Sequence, residues 1–383
     1  MKKRQRLSEK ILKVNPRVAD GYYSDKYFNR TKEILKKDNY HPIVRMQIFQ
    51  KNDDTCICGI DEAIGIIKEA LGPELKNLKI RALYDGDIVR AWETVMTIEG
   101  DYSIFAHLET VYLGALARRT KVATNVYRCV REAKDKALLF FPARFDVYQV
   151  QSGDGYAYKV GREAAEAALG GVSTDAQGQW WGSLGLGTVP HGLIAAYTGD
   201  TTKATLKFAE KIDVEVRRIA LVDYDNDCVK TTLEVSGAMW EKYKETNDER
   251  YRLWGVRLDT STNMVDESLK HVKGSFDLTG VNEQLVWNVR KALDQRAQRG
   301  DDKEERYFHD IGIVVSGGFN AMKIKQFEKE KVPVIAYGVG SSLFKGNFDY
   351  TADIVQIFKD NEWQHNAKKG RKYNPNTRLE DVI

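Results

Sequence analysis

The chain has 383 residues, enough for two or three domains of average size. Its net charge of +4 comes from 59 basic and 55 acidic residues, and no basic block is dense enough to predict binding to nucleic acid. Hydrophobic residues at 42% and charged residues at 30% are typical of a globular protein. No apolar run approaches the roughly 20 residues that span a membrane, and the basic start lacks the apolar stretch of a secretory signal, so we expect a cytoplasmic protein without membrane partners.

Residues 1–130 predict an α+β domain, which the tail 345–383 is expected to join. Asp61–Leu71 has helical spacing, and Ile88–Glu99 reads as a strand. Apolar residues then recur every three to four positions from about 105 to 136, which predicts a long helix. The four cysteines are too few for a disulfide framework and lack the second pair that a structural zinc site needs, so we expect buried thiols.

From residue 131 the pattern changes to short apolar runs that alternate with helical segments. Strands that are apolar along their whole length and alternate with helices are typical of a parallel sheet. Residues 131–344 are therefore predicted to form an incomplete α/β barrel of six or seven parallel strands, with a doubly wound open sheet as the alternative. The six strands are Ala137–Arg144, Leu184–Thr188, Arg218–Asp223, Leu253–Asp259, Ile311–Ser316 and Val332–Gly338, and Leu169–Ser173 is the candidate seventh. Gln298–Arg306, where both charge signs alternate, is predicted to be a solvated loop.

Residues suited to catalysis or ligand binding follow these strands. Parallel α/β folds place their ligand sites at this edge of the sheet. These residues comprise two glycine turns, several carboxylates, two arginines and a histidine. In chain order they are Arg144, Asp146, Gly187, Thr188, His191, Asp223, Asp225, Asp227, Arg257, Asp259, Ser316, Gly317, Gly318, Gly338, Gly340 and Ser341.

The two glycine turns follow the last two predicted strands. Small residues let a backbone approach an anion closely, and the next helix supplies amide donors. In α/β barrels phosphate commonly binds between these loops. The turns therefore predict a phosphate site, with a purely conformational need for glycine as the alternative.

The carboxylates and arginines predict further ligand contacts. Asp223, Asp225 and Asp259 can hold Mg²⁺ through water or substrate oxygens, whereas Asp227 is expected to cap the next helix. Arg144 and Arg257 suit a ligand carboxylate or phosphate, with an internal aspartate as the alternative partner. His191 follows Gly-Thr-x-Pro at a strand-to-helix turn, where an imidazole can accept a phosphoryl group.

In their order and spacing these motifs resemble those of the nicotinate phosphoribosyltransferase family, the type II phosphoribosyltransferases that include the quinolinate and nicotinamide enzymes. The resemblance covers most of the chain. The matching segments are Gly21–Thr31, Asp85–Val89, Ile98–Tyr102, His107–Thr124, Gly187–His191, Leu221–Asp227, Arg257–Ser261, Val315–Asn320 and Tyr337–Leu343. The stretch from 171 to 187, which carries Trp180 and Trp181, matches loosely and has no assigned role.

The resemblance implies a reaction between nicotinate and phosphoribosyl pyrophosphate that gives nicotinate mononucleotide and pyrophosphate, with Mg²⁺ as the cofactor. It also implies ATP as a co-substrate, used through a phosphohistidine at His191. The implied substrate contacts are Ser316, Gly317, Gly318, Gly338, Gly340 and Ser341 for the 5′-phosphate region, Asp223, Arg257 and Asp259 for ribose, pyrophosphate and Mg²⁺, and Arg144 and Thr188 for the pyridine ring. Asp25 and Tyr27 would reach the site of a neighbouring subunit, which implies a homodimer or a larger even-numbered assembly.

Three other functions fit part of the pattern. A quinolinate phosphoribosyltransferase, which decarboxylates its substrate, needs a denser basic cluster, to which Arg118, Arg119 and Lys121 can contribute. A sugar-phosphate enzyme of the α/β-barrel type explains the glycine turns but leaves His191 and the aspartates without a task. A non-catalytic metabolite sensor has no need of an arginine–aspartate pair at a strand end.

Overall fold

The structure, a computed structural model, describes residues 5–272 and 277–383, and its contacts divide the chain into two compact units. Unit 1 comprises Met1–Tyr127, Tyr156–Glu166 and Phe344–Ile383, and unit 2 comprises Arg128–Gly155 and Ala167–Leu343. The segment Tyr156–Glu166, which the sequence pattern places with the barrel, thus has its contacts in unit 1. No helix in the described ranges is long and apolar enough to cross a membrane.

The described residues form twelve α-helices and fourteen strands. The helices are α1 (Lys26–Lys37), α2 (Ile60–Leu71), α3 (Tyr102–Phe105), α4 (Glu109–Ala133), α5 (Gln151–Ala164), α6 (Asp175–Gly178), α7 (His191–Ala196), α8 (Thr201–Lys211), α9 (Cys228–Thr246), α10 (Glu283–Ala297), α11 (Asp302–His309) and α12 (Ala321–Lys329). The strands are β1 (Ile43–Gln50), β2 (Thr55–Cys56), β3 (Leu78–Ala82), β4 (Ile88–Val89), β5 (Thr94–Asp101), β6 (Ala137–Phe140), β7 (Gly170–Val172), β8 (Arg218–Leu221), β9 (Leu253–Leu258), β10 (Gly312–Val315), β11 (Ala336–Val339), β12 (Tyr350–Lys359), β13 (Glu362–His365) and β14 (Glu380–Asp381).

Unit 1 is built on an antiparallel sheet of six strands in the order β13-β12-β1-β5-β3-β14. Side chains alternate between the faces of a strand, so Val44, Met46 and Ile48 of β1 share one face, and all three are buried. They belong to one hydrophobic core with apolar residues of α2 such as Ile64 and Ile67. The predicted N-terminal α+β fold is confirmed.

The predicted strand Ile88–Glu99 is wrong as one element, because β4 and β5 are separated by a turn. Trp92 in that turn has a φ of +68°, a left-handed conformation that a strand cannot contain. The predicted helix over Asp61–Leu71 is confirmed by α2, and the long helical region after residue 105 is confirmed mainly by α4.

Unit 2 is built on six parallel strands in the order β7-β6-β11-β10-β9-β8, with helices after the strands. The central strands are buried: all four residues of β11 and three of the four residues of β10 are inaccessible. Ile219, Val314 and Ala336, from three different strands, pack in one hydrophobic cluster. The incomplete α/β barrel predicted from the sequence is confirmed.

The predicted strand Leu184–Thr188 is wrong, because in that stretch pairing is limited to one isolated bridge, between Gly185 and Val172. Gly185 and Gly187 offer no side chains to pack on a sheet surface, which weakens a strand. The seventh candidate, Leu169–Ser173, instead contains the regular strand β7.

The stretch 184–189 nevertheless lies between the two edge strands of the sheet, and we call it the seam. The Leu186 N–H donates to the Val172 carbonyl oxygen at 2.7 Å, and the Val189 N–H donates to the Ile219 carbonyl oxygen at 3.3 Å. Val172 belongs to β7 and Ile219 to β8. One irregular segment therefore joins both edges where a further strand would close the barrel.

The loop predicted over Gln298–Arg306 is also wrong in part, because α11 begins at Asp302. The Asp301 side chain accepts hydrogen bonds from the backbone N–H groups of Lys303 and Glu304, at 3.0 and 2.9 Å. An aspartate cap and acidic residues in the first turn stabilise a helix start. The alternating charges are thus the solvated face and cap of a short helix.

Candidate active site

Most of the predicted site residues lie in unit 2, at the carboxyl ends of its parallel strands. Arg144 lies in a short 3₁₀ turn after β6, Thr188 lies in the seam, and His191 is the first residue of α7. Asp223 follows β8, while Arg257 and Asp259 lie at the end of β9. Gly338 lies in β11, and the remaining glycines and serines follow β10 and β11: Ser316, Gly317, Gly318, Gly340 and Ser341.

His191 and Asp223 form the first contact of the site. The His191 Nε2 lies 3.1 Å from the Asp223 Oδ1. The Asp223 side chain is only 7% exposed, whereas that of His191 is 47% exposed. Burial raises the pKa of Asp223 and His191 opposes this shift. Opposite an ionised Asp223, which can only accept, the tautomer of His191 that fits this contact donates through Nε2 and keeps the lone pair of Nδ1.

Asp259 is held by the loop that follows β10. The Ser316 Oγ donates to the Asp259 Oδ1 at 2.8 Å, and the Ser316 N–H donates to the Leu258 carbonyl oxygen at 2.9 Å. Asp259 also contributes to the raised pKa of Asp223, because two negative charges near each other disfavour ionisation. The ends of β8 and β9 thus bring two carboxylates together.

Arg257 is a half-buried cation whose Nε has no hydrogen-bond partner in the described part of the chain. That Nε is buried, and the guanidinium carbon lies 5.8 Å from the centre of the Phe141 ring. Burial lowers its pKa, while Asp259 and Asp223 act in the opposite direction. Neither Arg257 nor Arg144 forms an ion pair within the described ranges. A buried donor without an acceptor is costly, so the site has the electrostatics of a receptor for an anion.

The first glycine turn needs glycine for its backbone conformation. Gly317 and Gly318 have φ values of +82° and +75°, both in the left-handed region. A Cβ on Gly317 would also lie only 3.3 Å from the Asp259 Oδ1. The Ser342 Oγ donates to the Phe319 carbonyl oxygen at 2.7 Å, so the loop after β11 is tied to the loop after β10.

The second glycine turn needs glycine for space. A Cβ on Gly338 would lie 2.6 Å from a ring carbon of Phe141, and a Cβ on Gly340 would lie 2.9 Å from a ring carbon of Phe145. Both distances are shorter than real Cβ contacts, so these aromatic rings occupy the room that side chains would take. Glycine at these two positions therefore lets the rings pack directly against the backbone.

Other predicted residues take simpler roles or stay outside these contacts. The Asp227 side chain accepts from the Lys230 N–H at 3.0 Å, which confirms its predicted role as the cap of α9. Asp225 and Ser341 are exposed, and Thr188 is half-buried.

Asp25 and Tyr27 lie in unit 1. The Asp25 carboxylate accepts from the Thr110 Oγ1 at 2.8 Å, and the Tyr27 ring packs 4.3 Å from the ring of Phe28 while staying 60% exposed. Their contribution to the site of a neighbouring subunit stays a prediction.

The carboxylates fit a metal that is held partly by substrate. No group of three or more His, Cys, Asp or Glu side chains that could hold a metal occurs in residues 5–272 or 277–383. Asp223 and Asp259, however, repel each other, and a divalent cation between them and phosphate oxygens would relieve that repulsion.

All four cysteines are buried and form no disulfide, as expected, and burial raises the pKa of Cys129 to about 12.

Sequence reasoning missed two residues that shape this site. Phe141 lies against Arg257 and fills the space beside Gly338, and Ser342 ties the two glycine loops together. The signal for Phe141 is an aromatic residue directly after β6, at the edge where the other site residues lie. The tie made by Ser342 has no signal in the sequence, because its acceptor is a backbone carbonyl.

Comparison with known proteins identifies the fold. The family model of the quinolinate phosphoribosyl transferase N-terminal domain matches residues 25–120. A crystal structure of nicotinate-nucleotide pyrophosphorylase from Pyrococcus furiosus is similar with a TM-score of 0.74 and 28% identity, over 97% of this chain and 85% of that chain. The chain has the fold of these phosphoribosyltransferases.

Two further structures share this fold at lower identity. Human nicotinic acid phosphoribosyltransferase has a TM-score of 0.60 and 16% identity, over 87% of this chain and 74% of that chain. Nicotinate-nucleotide pyrophosphorylase from Francisella tularensis has a TM-score of 0.53 and 15% identity, over 89% of this chain and 98% of that chain. No curated protein matches the chain. The matches thus cover phosphoribosyltransferases of NAD synthesis, of both the nicotinate-nucleotide pyrophosphorylase and the nicotinate type.

Proposed function

We propose that the protein is a nicotinate phosphoribosyltransferase that forms nicotinate mononucleotide and pyrophosphate from nicotinate and phosphoribosyl pyrophosphate, coupled to ATP. The observation that carries this proposal is the buried Nε of Arg257, which has no hydrogen-bond partner among the described residues although Asp223 and Asp259 lie nearby. The two glycine loops that follow β10 and β11 add a place for the 5′-phosphate.

The carboxylates suit the transition state of this transfer. The bond from the anomeric carbon to the pyrophosphate oxygen breaks, and positive charge develops on the ribose ring. In this proposal Asp223 and Asp259, whose charges lie close enough to interact, face the ribose and stabilise that positive charge without reorganisation. When bound, Mg²⁺ would neutralise charge on the pyrophosphate. Positioning, rather than covalent chemistry by the protein, carries this step.

The arginines suit the anionic groups of the two substrates. The Arg257 guanidinium can form two parallel hydrogen bonds with the pyrophosphate, and Arg144, which lies close enough to lower the pKa of Arg257 further, suits the pyridine carboxylate. The Phe141 ring lies beside Arg257 and offers an apolar surface to an aromatic substrate.

His191 suits the ATP coupling. With Nε2 donating to Asp223, the lone pair of Nδ1 can attack the γ-phosphorus of ATP, so that the Nδ1–P bond forms and the bond to the ADP oxygen breaks. Incubation with γ-labelled ATP is expected to give an acid-labile, alkali-stable label located on Nδ1. His191→Ala should abolish the label and leave slow transfer without ATP, whereas an unlabelled wild-type enzyme contradicts the coupling.

A homodimer with shared sites completes this proposal. Tyr27 is 60% exposed in unit 1 although it is a large aromatic residue, which suits burial against a second subunit. Mixing an inactive Tyr27→Ala variant with an inactive Arg257→Gln variant should restore part of the activity, because hybrid dimers contain one intact site. If subunits exchange and activity does not return, each site is built within one chain.

The second candidate is quinolinate phosphoribosyltransferase, which the family model and the similar pyrophosphorylases favour. At the strand ends of unit 2, two arginines form no ion pair with a described residue, Arg144 and Arg257. Two arginines are few for a substrate with two carboxylates. The deciding experiment supplies purified protein with phosphoribosyl pyrophosphate and Mg²⁺, and offers nicotinate, nicotinamide or quinolinate. Pyrophosphate release with nicotinate supports our proposal, and release with quinolinate alone, accompanied by CO₂, supports the alternative.

A further inference from the structure

We propose that Ser316 is a positioning residue that fixes the catalytic carboxylate of Asp259, rather than a ligand of the 5′-phosphate as its place in a glycine turn suggests. This inference rests on the proposed function only for its kinetic test. The geometry that supports it is independent of the substrate.

The hydroxyl of Ser316 is already committed. Ser316 is 4% exposed, and its Oγ has two acceptors in the protein, the Asp259 Oδ1 at 2.8 Å and the Leu258 carbonyl oxygen at 3.3 Å, of which Asp259 is the closer. A serine hydroxyl has one hydrogen to donate. Once that hydrogen is on Asp259, the oxygen presents only lone pairs, which repel a phosphate oxygen. The phosphate must then be bound by other donors, such as the backbone amides of the glycine turns.

The backbone of Ser316 is anchored beside Asp259. The Ser316 N–H donates to the carbonyl oxygen of Leu258, the residue before Asp259. A Cβ built on Gly338 would lie 3.1 Å from the Ser316 Cβ, and a Cβ built on Gly317 would lie 3.3 Å from the Asp259 Oδ1. Both glycine turns therefore pack closely around this contact.

Asp259 is consequently held by one oxygen. Oδ1 accepts from Ser316, and no described residue donates to Oδ2, which is the oxygen left to act on a ligand. In a catalytic site, a carboxylate misplaced by even 1 Å acts much less well, so fixing its rotamer has a direct effect on rate. The tie also joins the end of β9 to the loop after β10, two segments 57 residues apart in sequence.

The test compares Ser316→Ala with Ser342→Ala as a matched control. Both serines lie in the glycine loops and donate at 2.7–2.8 Å, but Ser342 donates to the Phe319 backbone carbonyl rather than to a carboxylate. Ser316→Ala should lower kcat roughly 10- to 100-fold with little change in the KM for phosphoribosyl pyrophosphate, the effect of losing one hydrogen bond to a charged group. Ser342→Ala should act mainly on that KM.

A double-mutant cycle with Asp259→Asn separates positioning from a merely structural role. If Ser316 acts through Asp259, adding Ser316→Ala to Asp259→Asn should lower kcat little further. Additive losses would overturn the proposal, and so would a raised KM with unchanged kcat in Ser316→Ala. The wild-type reaction, run in parallel, tests the proposed function by itself. Crystal structures of wild type and Ser316→Ala decide the positioning even for an inactive enzyme, because an unmoved Asp259 carboxylate would contradict it.

Discussion

Unit 1 and unit 2 both bury charged side chains, but they differ in whether the fold satisfies them. In unit 1 the buried Asp61 accepts from the Arg6 Nη1 and the Leu7 N–H, both at 2.7 Å. Arg119 holds both carboxylate oxygens of Glu62, at 2.7 and 3.2 Å. These groups complete one another, so they need no ligand.

In unit 2 the charged side chains at the strand ends do not satisfy one another. The Nε of Arg257 has no acceptor in the part of the chain that the structure describes, and the carboxylates of Asp223 and Asp259 repel each other. The difference shows that burial of a charge does not by itself mark a site. A buried charge that the fold does not satisfy is the more informative sign.

The same distinction applies to pKa shifts. Burial and the neighbouring Asp61 raise the pKa of Asp85 in unit 1 to about 8. Asp85 nevertheless accepts from the Ile60 N–H at 2.8 Å and from the Tyr156 hydroxyl at 3.1 Å, so its environment is closed. Its shift reflects packing, whereas the shift of Asp223 occurs beside a histidine and an unpaired arginine.

The largest effect is expected for Arg257→Gln in unit 2. Loss of the cation should lower kcat/KM for nicotinate by about 100- to 1,000-fold, as for removal of one preformed electrostatic contact in a transition state. The melting temperature should hold or rise, because the buried Nε of Arg257 has no hydrogen-bond partner among the described residues to lose. Kinetics and thermal unfolding of the same preparation check both outcomes, and a large fall in stability would contradict the contrast between the units.

The opposite outcome is expected for Arg119→Gln in unit 1. Removal of Arg119 leaves the Glu62 carboxylate, whose side chain is 17% exposed, without its bidentate partner. A broken, largely buried ion pair costs about 3–5 kcal/mol of the free energy of unfolding. Denaturant unfolding measures this loss. A variant as stable as wild type would show that the charges of unit 1 are no better satisfied than those of unit 2.

The fold and site could be predicted only where local pattern decides the structure. The long helix α4, the helix α2 and the parallel strands of unit 2 follow from hydrophobic spacing. The irregular structure of the seam could not be predicted, because its apolar residues resemble those of a strand. Gly185 and Gly187 have no side chains to pack on the sheet, and the pairing of this stretch is limited to one isolated bridge.

In the site, the residue types at the strand ends could be predicted from the sequence, but the contacts between their side chains could not. The Asp223–His191 contact and the Asp259–Ser316 contact join positions 32 and 57 residues apart, which the hydrophobic pattern of one sequence does not relate. Whether Arg257 has an internal partner also depends on geometry, since Asp259 is two residues away and still forms no ion pair with it.

A pH titration sharpens the comparison with a smaller effect. The pKa of Asp85 is about 8 in the fold, and an unfolded aspartate ionises near 4. Between about pH 4 and 8 the Asp85 carboxyl is ionised in the unfolded chain but protonated in the folded one. Asp85 therefore lowers the free energy of unfolding as pH rises. Asp85→Asn should therefore gain stability relative to wild type from pH 5 to pH 8. Melting temperatures at both values check this, with the exposed Asp38→Asn as the control; a pH-independent difference contradicts it.

The smallest effect concerns two glycines with similar backbone strain. Gly318 has a φ of +75° and Gly370 in unit 1 has a φ of +86°, and no atom lies within 4 Å of a Cβ built on Gly370. Alanine at Gly370 should cost about 1–2 kcal/mol of stability, the penalty for a left-handed residue, and alanine at Gly318 should cost more, because its Cβ would lie 3.2 Å from the Thr262 Cγ2. Gly318→Ala alone should also raise the KM for phosphoribosyl pyrophosphate. Equal KM values in both variants would mean that Gly318 is only a turn residue.

The seam has a consequence for motion. It is attached to each edge of the sheet by one backbone hydrogen bond, whereas β9 and β10 are paired along four consecutive positions. Local opening therefore breaks few bonds, and the amide hydrogens of Leu186 and Val189 should exchange with solvent much faster than those of the central strands. His191 follows two residues after Val189, so the least protected part of the barrel wall carries the residue that we assign to ATP. Slowed exchange at these two amides on adding ATP would show nucleotide binding directly, without any measurement of turnover.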